Sequence, residues 1–167
     1  MGPTMSGKTF AWLTVAVTPL IAIAINLEQQ APMPGALKML AWLVLVAAAE
    51  LLPVSLGYGT EVTMAFPIYL ALAIVFRDAI WAAMLIAAVG ALDLRELRRQ
   101  IPLFQALFNR AQQALAIAAA AGVMSLGPRD PFTAGGAIFI VLAAVAEIVT
   151  NFTLVATGAT FLHGHSF

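Results

Sequence analysis

Long apolar runs, separated by short polar or proline-bearing joints, set the pattern of this chain. The first runs from Thr9 to Asn26, follows Lys8 and is interrupted only by Pro19. The stretch from Glu28 to Gly35 is polar and carries Pro32 and Pro34, which reads as a loop. A second run extends from Ala36 to about Val54, with Pro53 near its end, and Ser55 to Glu61 forms the next loop. Two shorter runs follow, Val62 to Phe76 and Ala79 to Leu94, separated only by Arg77-Asp78. The fifth run spans Pro102 to Leu126 and the sixth spans Gly136 to Leu162.

A helix crossing a bilayer needs about 20 mostly apolar residues. The two central runs would make helices of only about 22–24 Å, short of a hydrocarbon core about 30 Å thick. They predict a tight hairpin whose turn reaches one interface, with either local thinning of the bilayer or a partly re-entrant third helix. Pro67 in the third run reads as a mild kink or as the kind of interruption that lines transporter cavities. Backbone amides in lipid must be satisfied within helices or a closed barrel, and barrel strands alternate apolar and polar residues. These runs are apolar all round and rich in Ala and Leu.

The expected fold is therefore an all-α membrane protein. It is a six-transmembrane-helix bundle with a short third/fourth helix hairpin, one integral membrane domain over residues 1–167. The helices are expected at about 9–26, 36–54, 62–76, 79–94, 102–126 and 136–162. Ala22-Ile23-Ala24 has signal-peptidase spacing, but the length of the first run and the apolar runs after it favour a retained span.

Composition agrees: 62% of the residues are hydrophobic and 10% charged, against about 45–50% and about 25% in soluble domains. This excludes a soluble globular enzyme, a disordered tail and a nucleic-acid-binding domain. Eight Lys and Arg balance eight Asp and Glu, so no net field draws polyanions. The absence of Cys removes disulfides, thiolate metal sites and Cys nucleophiles. No Walker loop, HExxH or Ser with a nearby His and Asp occurs, and Gly57-Tyr58-Gly59 is a turn rather than a phosphate cradle. The chain is expected to be no enzyme and to need no cofactor or metal. His163 and His165 in the tail read as interfacial residues rather than ligands.

Six spans place both termini on one side. Arg95, Arg98 and Arg99 share that side with Lys8, while Lys38, Arg77 and Arg129 fall opposite. The Arg cluster orients that side towards the cytoplasm. Trp12, Trp42 and Trp81 each sit near an expected helix end, as interfacial aromatics do.

Ionisable residues inside a membrane point to function. Here they are Glu50, Arg110 and Glu147, accompanied by Gln105, Asn109, Gln112, Gln113 and Asn151. At 1.5 Å per residue, Glu50 lies about 21 Å along its span, Arg110 about 12 Å from the start of its own, and Asn151 about 20–22 Å along the last. All three fall at one level, and Glu147 lies one turn further out. Glu147 and Asn151 share a helix face, as do Gln105, Asn109, Gln112 and Gln113. Arg110 is expected to pair with Glu50, Glu147 or both, with Asn109 and Asn151 completing the hydrogen bonds. Such a cluster serves as an interhelical clamp, lines a cavity for a small polar or anionic ligand, or relays protons. A guanidinium fork suits a carboxylate. Small residues four apart (Ala79, Ala83, Ala87 and Ala91, then Ala114, Ala118 and Gly122) predict close helix packing or a dimer seam.

The segment from Glu50 to Ser125 carries Glu50-Leu51-Leu52-Pro53-Val54, Val62-Thr63-Met64-Ala65-Phe66-Pro67, Arg98-Arg99 and Leu107-Phe108-Asn109-Arg110-Ala111-Gln112. The last span adds Thr150-Asn151-Phe152. This pattern resembles bacterial N-terminal membrane sensor regions that precede diguanylate cyclase or HD-type phosphohydrolase domains. More loosely, it is similar to the substrate-binding subunits of energy-coupling-factor vitamin transporters, although Ala11, Ala16, Ala22 and Ala24 lack those subunits' four-residue docking spacing. No output domain of the sensor type lies within these residues, so the chain is expected to be a piece of a longer protein or a stand-alone relative. The sensor resemblance implies that Asn109, Arg110, Gln112 and Asn151 form its polar core.

The expected function is a small-ligand-binding or sensory module of the bacterial inner membrane, multi-pass, with both termini cytoplasmic. A vitamin-type transporter subunit and an accessory structural subunit of a larger membrane complex are the alternatives. Expected partners are the lipid bilayer, a membrane or cytoplasmic protein and a small polar or anionic ligand, and no nucleic acid.

Overall fold

The computed structural model describes residues 7–55, 61–63 and 65–163. Gly57-Tyr58-Gly59 and His165 lie outside the described residues, as does the side chain of His163. In chain order the elements are α1 (Gly7–Gln29), α2 (Ala36–Glu50), β1 (Pro53–Ser55), β2 (Glu61–Thr63), α3 (Phe66–Val75), α4 (Ile80–Gly90), α5 (Leu94–Leu97), α6 (Leu103–Leu126) and α7 (Ala134–His163). Every expected apolar run contains a helix. Two helices, over Gly7–Gln29 and Ala134–Thr160, are long and apolar enough to cross a membrane by length and composition, while α3 and α4 are shorter apolar helices.

Several boundaries differ from expectation for local reasons. α2 stops at Glu50, before Pro53, because the residues ahead of a proline disfavour the helical region. Pro53 instead opens β1, at a strand's first position, where its missing N–H is tolerated. β1 and β2 form a small antiparallel ribbon with Val54 opposite Val62, replacing the expected loop and the expected start of the third helix. α3 then begins at Phe66 with Pro67 in its first turn, so Pro67 starts this helix and does not kink it. α4 ends at Gly90, four residues before Leu94, and the chain turns into the single-turn α5.

Hydrogen bonds fix the direction of the helices. Gln29, at the end of α1, donates from Nε2 to the Arg77 carbonyl at 3.3 Å and accepts the Ile80 N–H on Oε1 at 3.0 Å. Arg77 donates to the carbonyls of Pro128 at 2.6 Å and Gly127 at 3.0 Å. The end of α1, the α3–α4 turn and the α6–α7 turn thus meet at one end of the bundle. At the other end the Lys8 ammonium lies 5.9 Å from the Phe104 ring centroid, joining the starts of α1 and α6. Successive long elements therefore alternate in direction.

The short α3–α4 hairpin occupies the centre. Ala82, Ala83, Met84, Ile86 and Ala87 of α4 are all buried. On one side Leu72, Phe76 and Ile86 pack with Val46 of α2, and on the other Met84 packs with Ala120 and Met124 of α6. The four-residue ladder Ala79, Ala83, Ala87 and Ala91 is buried within the chain, which answers its small-residue spacing without a second copy. α2 and α4 approach closely: a Cβ on Gly90 would meet Val46 Cγ1 at 2.7 Å. The outer faces of α1, α2 and α7 expose large apolar side chains, including Leu20, Ile23, Leu40, Ile148 and Phe152.

Candidate functional site

Polar side chains from α2, α3, α6 and α7 converge in the bundle. Tyr69, only 2% exposed, donates its hydroxyl proton to Glu50 Oε1 at 2.7 Å. Glu147 of α7 is 2% exposed as well. One turn along α7, Asn151 accepts a hydrogen bond from Gln112 Nε2. Glu147 Oε2 and Gln113 Oε1 are buried and meet no donor among the described residues. Of the expected cluster, the fold joins Gln112 to Asn151 and hydrogen-bonds Glu50 to Tyr69. Tyr69 carried no signal beyond being a tyrosine inside an apolar run. Gln105 and Asn109 form no side-chain hydrogen bond among the described residues.

Arg110 departs from the expected pairing. Its counter-ion is neither Glu50 nor Glu147 but Glu96 of α5, with Nη2 donating to Oε1 at 2.9 Å. Nη1 also points at the carbonyls of Ala88 and Val89, at 3.3 and 3.4 Å. These belong to the last turn of α4, whose carbonyls lack partners within the helix. The Ala87 carbonyl accepts from Ala91 N–H at 2.9 Å and the Gly90 carbonyl from Leu92 N–H at 2.7 Å. Arg110 covers the two that remain. A cation at a helix C-terminus also sits favourably against the helix dipole. The early stop of α4 therefore explains why a guanidinium stands at this position.

Glu96 is held in place by its own short segment. Asp93 Oδ1 accepts the Arg95 N–H at 2.7 Å, capping α5, and Asp93 Oδ2 forms a 2.6 Å ion pair with Arg95 Nη2. The Arg95 guanidinium holds the Asp93 carboxyl below the usual carboxylate range, against the opposing effect of partial burial.

Beside this junction lies an open-sided cavity of about 440 Å³ between α1, α4 and α6, with the half-exposed Ile23, Leu85 and Val89 along its mouth on the outer surface. Its walls are mainly apolar, with Pro19, Ile23, Trp81, Leu85 and Leu107 among them, and Arg110 is the one charged residue in its lining. The volume falls in the range of small-molecule sites, about 300–1,000 Å³. Arg110 alone of the expected polar residues lines it. Sequence reasoning missed its apolar walls because nothing separates cavity-lining Leu or Ile from core Leu or Ile until the helices are packed. Pro19 gives a partial signal, since its missing N–H leaves the Val15 carbonyl without its helical donor, and both residues line the cavity.

No protein-family model, curated protein or solved structure matches this chain.

Proposed function

We propose that this chain is a membrane-embedded module that binds a small ligand and reports its presence, with no chemistry of its own. The observation that carries this reading is the cavity between α1, α4 and α6, whose single charge, Arg110, also holds the end of α4 and the α5 segment. A ligand touching Arg110 competes with the Glu96 contact that ties α5 to α6, so binding and helix packing are coupled. A ligand shifts such an equilibrium only by its differential affinity for the two packings. Sharing one side chain between cavity and helix end supplies that difference.

In this reading the chain crosses a bacterial inner membrane six times, with both termini and α5 on the cytoplasmic side. The apolar outer faces of α1, α2 and α7 support it, as does the alternating helix direction. The short α3 and α4, about 15–17 Å each, bury one side among their longer neighbours and expose Val75, Leu85 and Val89. The resemblance to bacterial sensor regions agrees with a reporting role. A transporter subunit would use the same cavity, and co-purification with an ATPase pair would single it out.

Two measurements test the proposal. The chain has no cysteine, so single cysteines at Asp78, Arg98 and Arg129 can each be labelled alone in intact cells. Positions 78 and 129 are expected to react from outside and position 98 to be protected. Thermal melting of the purified chain against a small-molecule panel should yield ligands that raise Tm in proportion to the logarithm of their concentration. If no ligand does so, or if position 98 labels from outside, the proposal fails.

A further inference from the structure

We propose that the cavity between α1, α4 and α6 takes one long-chain carboxylate, whose head group displaces Glu96 from Arg110 and whose chain lies along α1 towards Trp81. This rests on the ligand-site reading above and names the ligand's chemical class.

The shape of the site comes first. The α1 wall runs from Val15 to Asn26, about 16 Å along a helix. Arg110, Val89 and Leu107 mark the end near α5, whereas Trp81 and Asn26 mark the end near the Gln29–Arg77 junction. The site is therefore long, apolar and charged at one end. That form matches a single-chain amphiphile with its head at Arg110. A compact polar solute would leave the Pro19, Ile23 and Leu85 walls without apolar contact.

The charge of the head follows from the group already present. Arg110 carries a carboxylate, that of Glu96, and both side chains are only partly buried, at 22% and 26% exposure. Glu96 sits on a single helical turn and can rotate into water. A ligand carboxylate replaces it one for one, so the balance of charge at the junction is unchanged. A phosphate dianion would add a negative charge beside the carbonyl end of α4, where anions are disfavoured. An amine would meet the guanidinium with like charge. Arg110 can keep its bonds to the Ala88 and Val89 carbonyls during the exchange, because its planar fork presents further N–H donors. Glu96 then acts as an internal competitor for the ligand, and its release frees α5 from α6.

The test uses the full chain reconstituted in uncharged lipid, with Trp12 and Trp42 replaced by Phe so that Trp81 is the sole tryptophan. The probes are a dibrominated long-chain fatty acid and its methyl ester, whose bromines quench tryptophan on contact. The acid is expected to quench Trp81 saturably and to bind about tenfold or more tightly than the ester. Glu96→Gln should tighten acid binding several-fold and leave the ester unchanged. Arg110→Gln should make acid and ester alike. Should the tryptophan substitutions or Arg110→Gln prevent folding, thermal stabilisation of the unaltered chain and of Glu96→Gln by unbrominated acid and ester supplies the same comparison. Equal affinities for acid and ester in the unaltered site, or weaker acid binding in Glu96→Gln, overturn the carboxylate assignment while leaving a ligand site in place. Absence of saturable binding by either probe overturns this inference, while stabilisation by a different, compact ligand would leave the ligand-site reading intact.

Discussion

Replacing Gly90 by alanine puts a methyl group where α2 already stands. The added carbon would lie 2.7 Å from Val46 Cγ1 and 3.0 Å from Val46 Cβ, whereas non-bonded carbons rest at about 3.5–4.0 Å. One helix must therefore move by about 1 Å, and Val46, fully buried, has no open side to turn towards. Overpacking of this kind costs about 1–3 kcal/mol. The better helix propensity of alanine returns at most about 1 kcal/mol, so Gly90→Ala should destabilise by up to about 2 kcal/mol. Val46→Ala alone should cost about 1–3 kcal/mol, because it empties a packed site. Combined, the two changes remove both γ-methyls of Val46 and place one methyl at position 90 in the space they leave, and the double variant should be more stable than the sum of the single effects by about 1–3 kcal/mol. Reversible unfolding of the four proteins in one fixed detergent, followed by circular dichroism, measures this coupling. Additivity to within about 0.5 kcal/mol would show that α2 and α4 do not meet at this pair, and the central placement of the hairpin would fall with it.

Arg110→Gln should cost about 2–4 kcal/mol by leaving two helix-end carbonyls poorly satisfied, whereas Glu96→Gln should cost under about 1 kcal/mol, because its ion pair is partly exposed; the same unfolding assay separates them, and equal effects would refute the capping role of Arg110. Gln29→Leu removes both the donor to the Arg77 carbonyl and the acceptor of the Ile80 N–H, and should cost about 1–2 kcal/mol while accelerating amide exchange at Ile80, read by mass spectrometry. Asp93 has its carboxyl lowered from 3.8 by Arg95. Its contribution to holding α5 is therefore complete above that ordinary value and is lost as pH falls through the lower value of the folded chain. Amide exchange in α5, corrected for its intrinsic pH dependence, should rise over that acid window in the unaltered chain and be high throughout in Asp93→Asn.

The helices were legible because each apolar run is bounded by proline, glycine or charge. Pro102 ahead of α6 and the Gly127-Pro128 turn after it gave both ends of that helix to within a residue. The short central hairpin was legible from length alone. Helix ends inside the apolar runs were not: Gly90, Ala91 and Leu92 look as apolar as the residues before them. That single uncertainty moved the counter-ion of Arg110. An α4 expected to reach Leu94 leaves no free carbonyls at Ala88 and Val89 and carries Glu96 away from Arg110, whereas the helix that ends at Gly90 exposes the first and returns the second. Gln112 and Asn151 were legible as members of one polar core, though not as a pair, because both lie on long uninterrupted helices where spacing converts directly into position. The ribbon of β1 and β2 was missed since three-residue strands leave no periodicity to read.

The two ends of the α3–α4 hairpin are anchored unequally. Where Gln29 and Arg77 tie three connections together, four hydrogen bonds cross between segments far apart in the chain. At the opposite end the last carbonyls of α4 rest on one guanidinium at 3.3 and 3.4 Å, and the start of α3 is tied to α2 by the single Tyr69–Glu50 hydrogen bond. The polar fastening of α4 is therefore concentrated at Ile80, about 16 Å along the helix from Gly90, where packing against Val46 takes over.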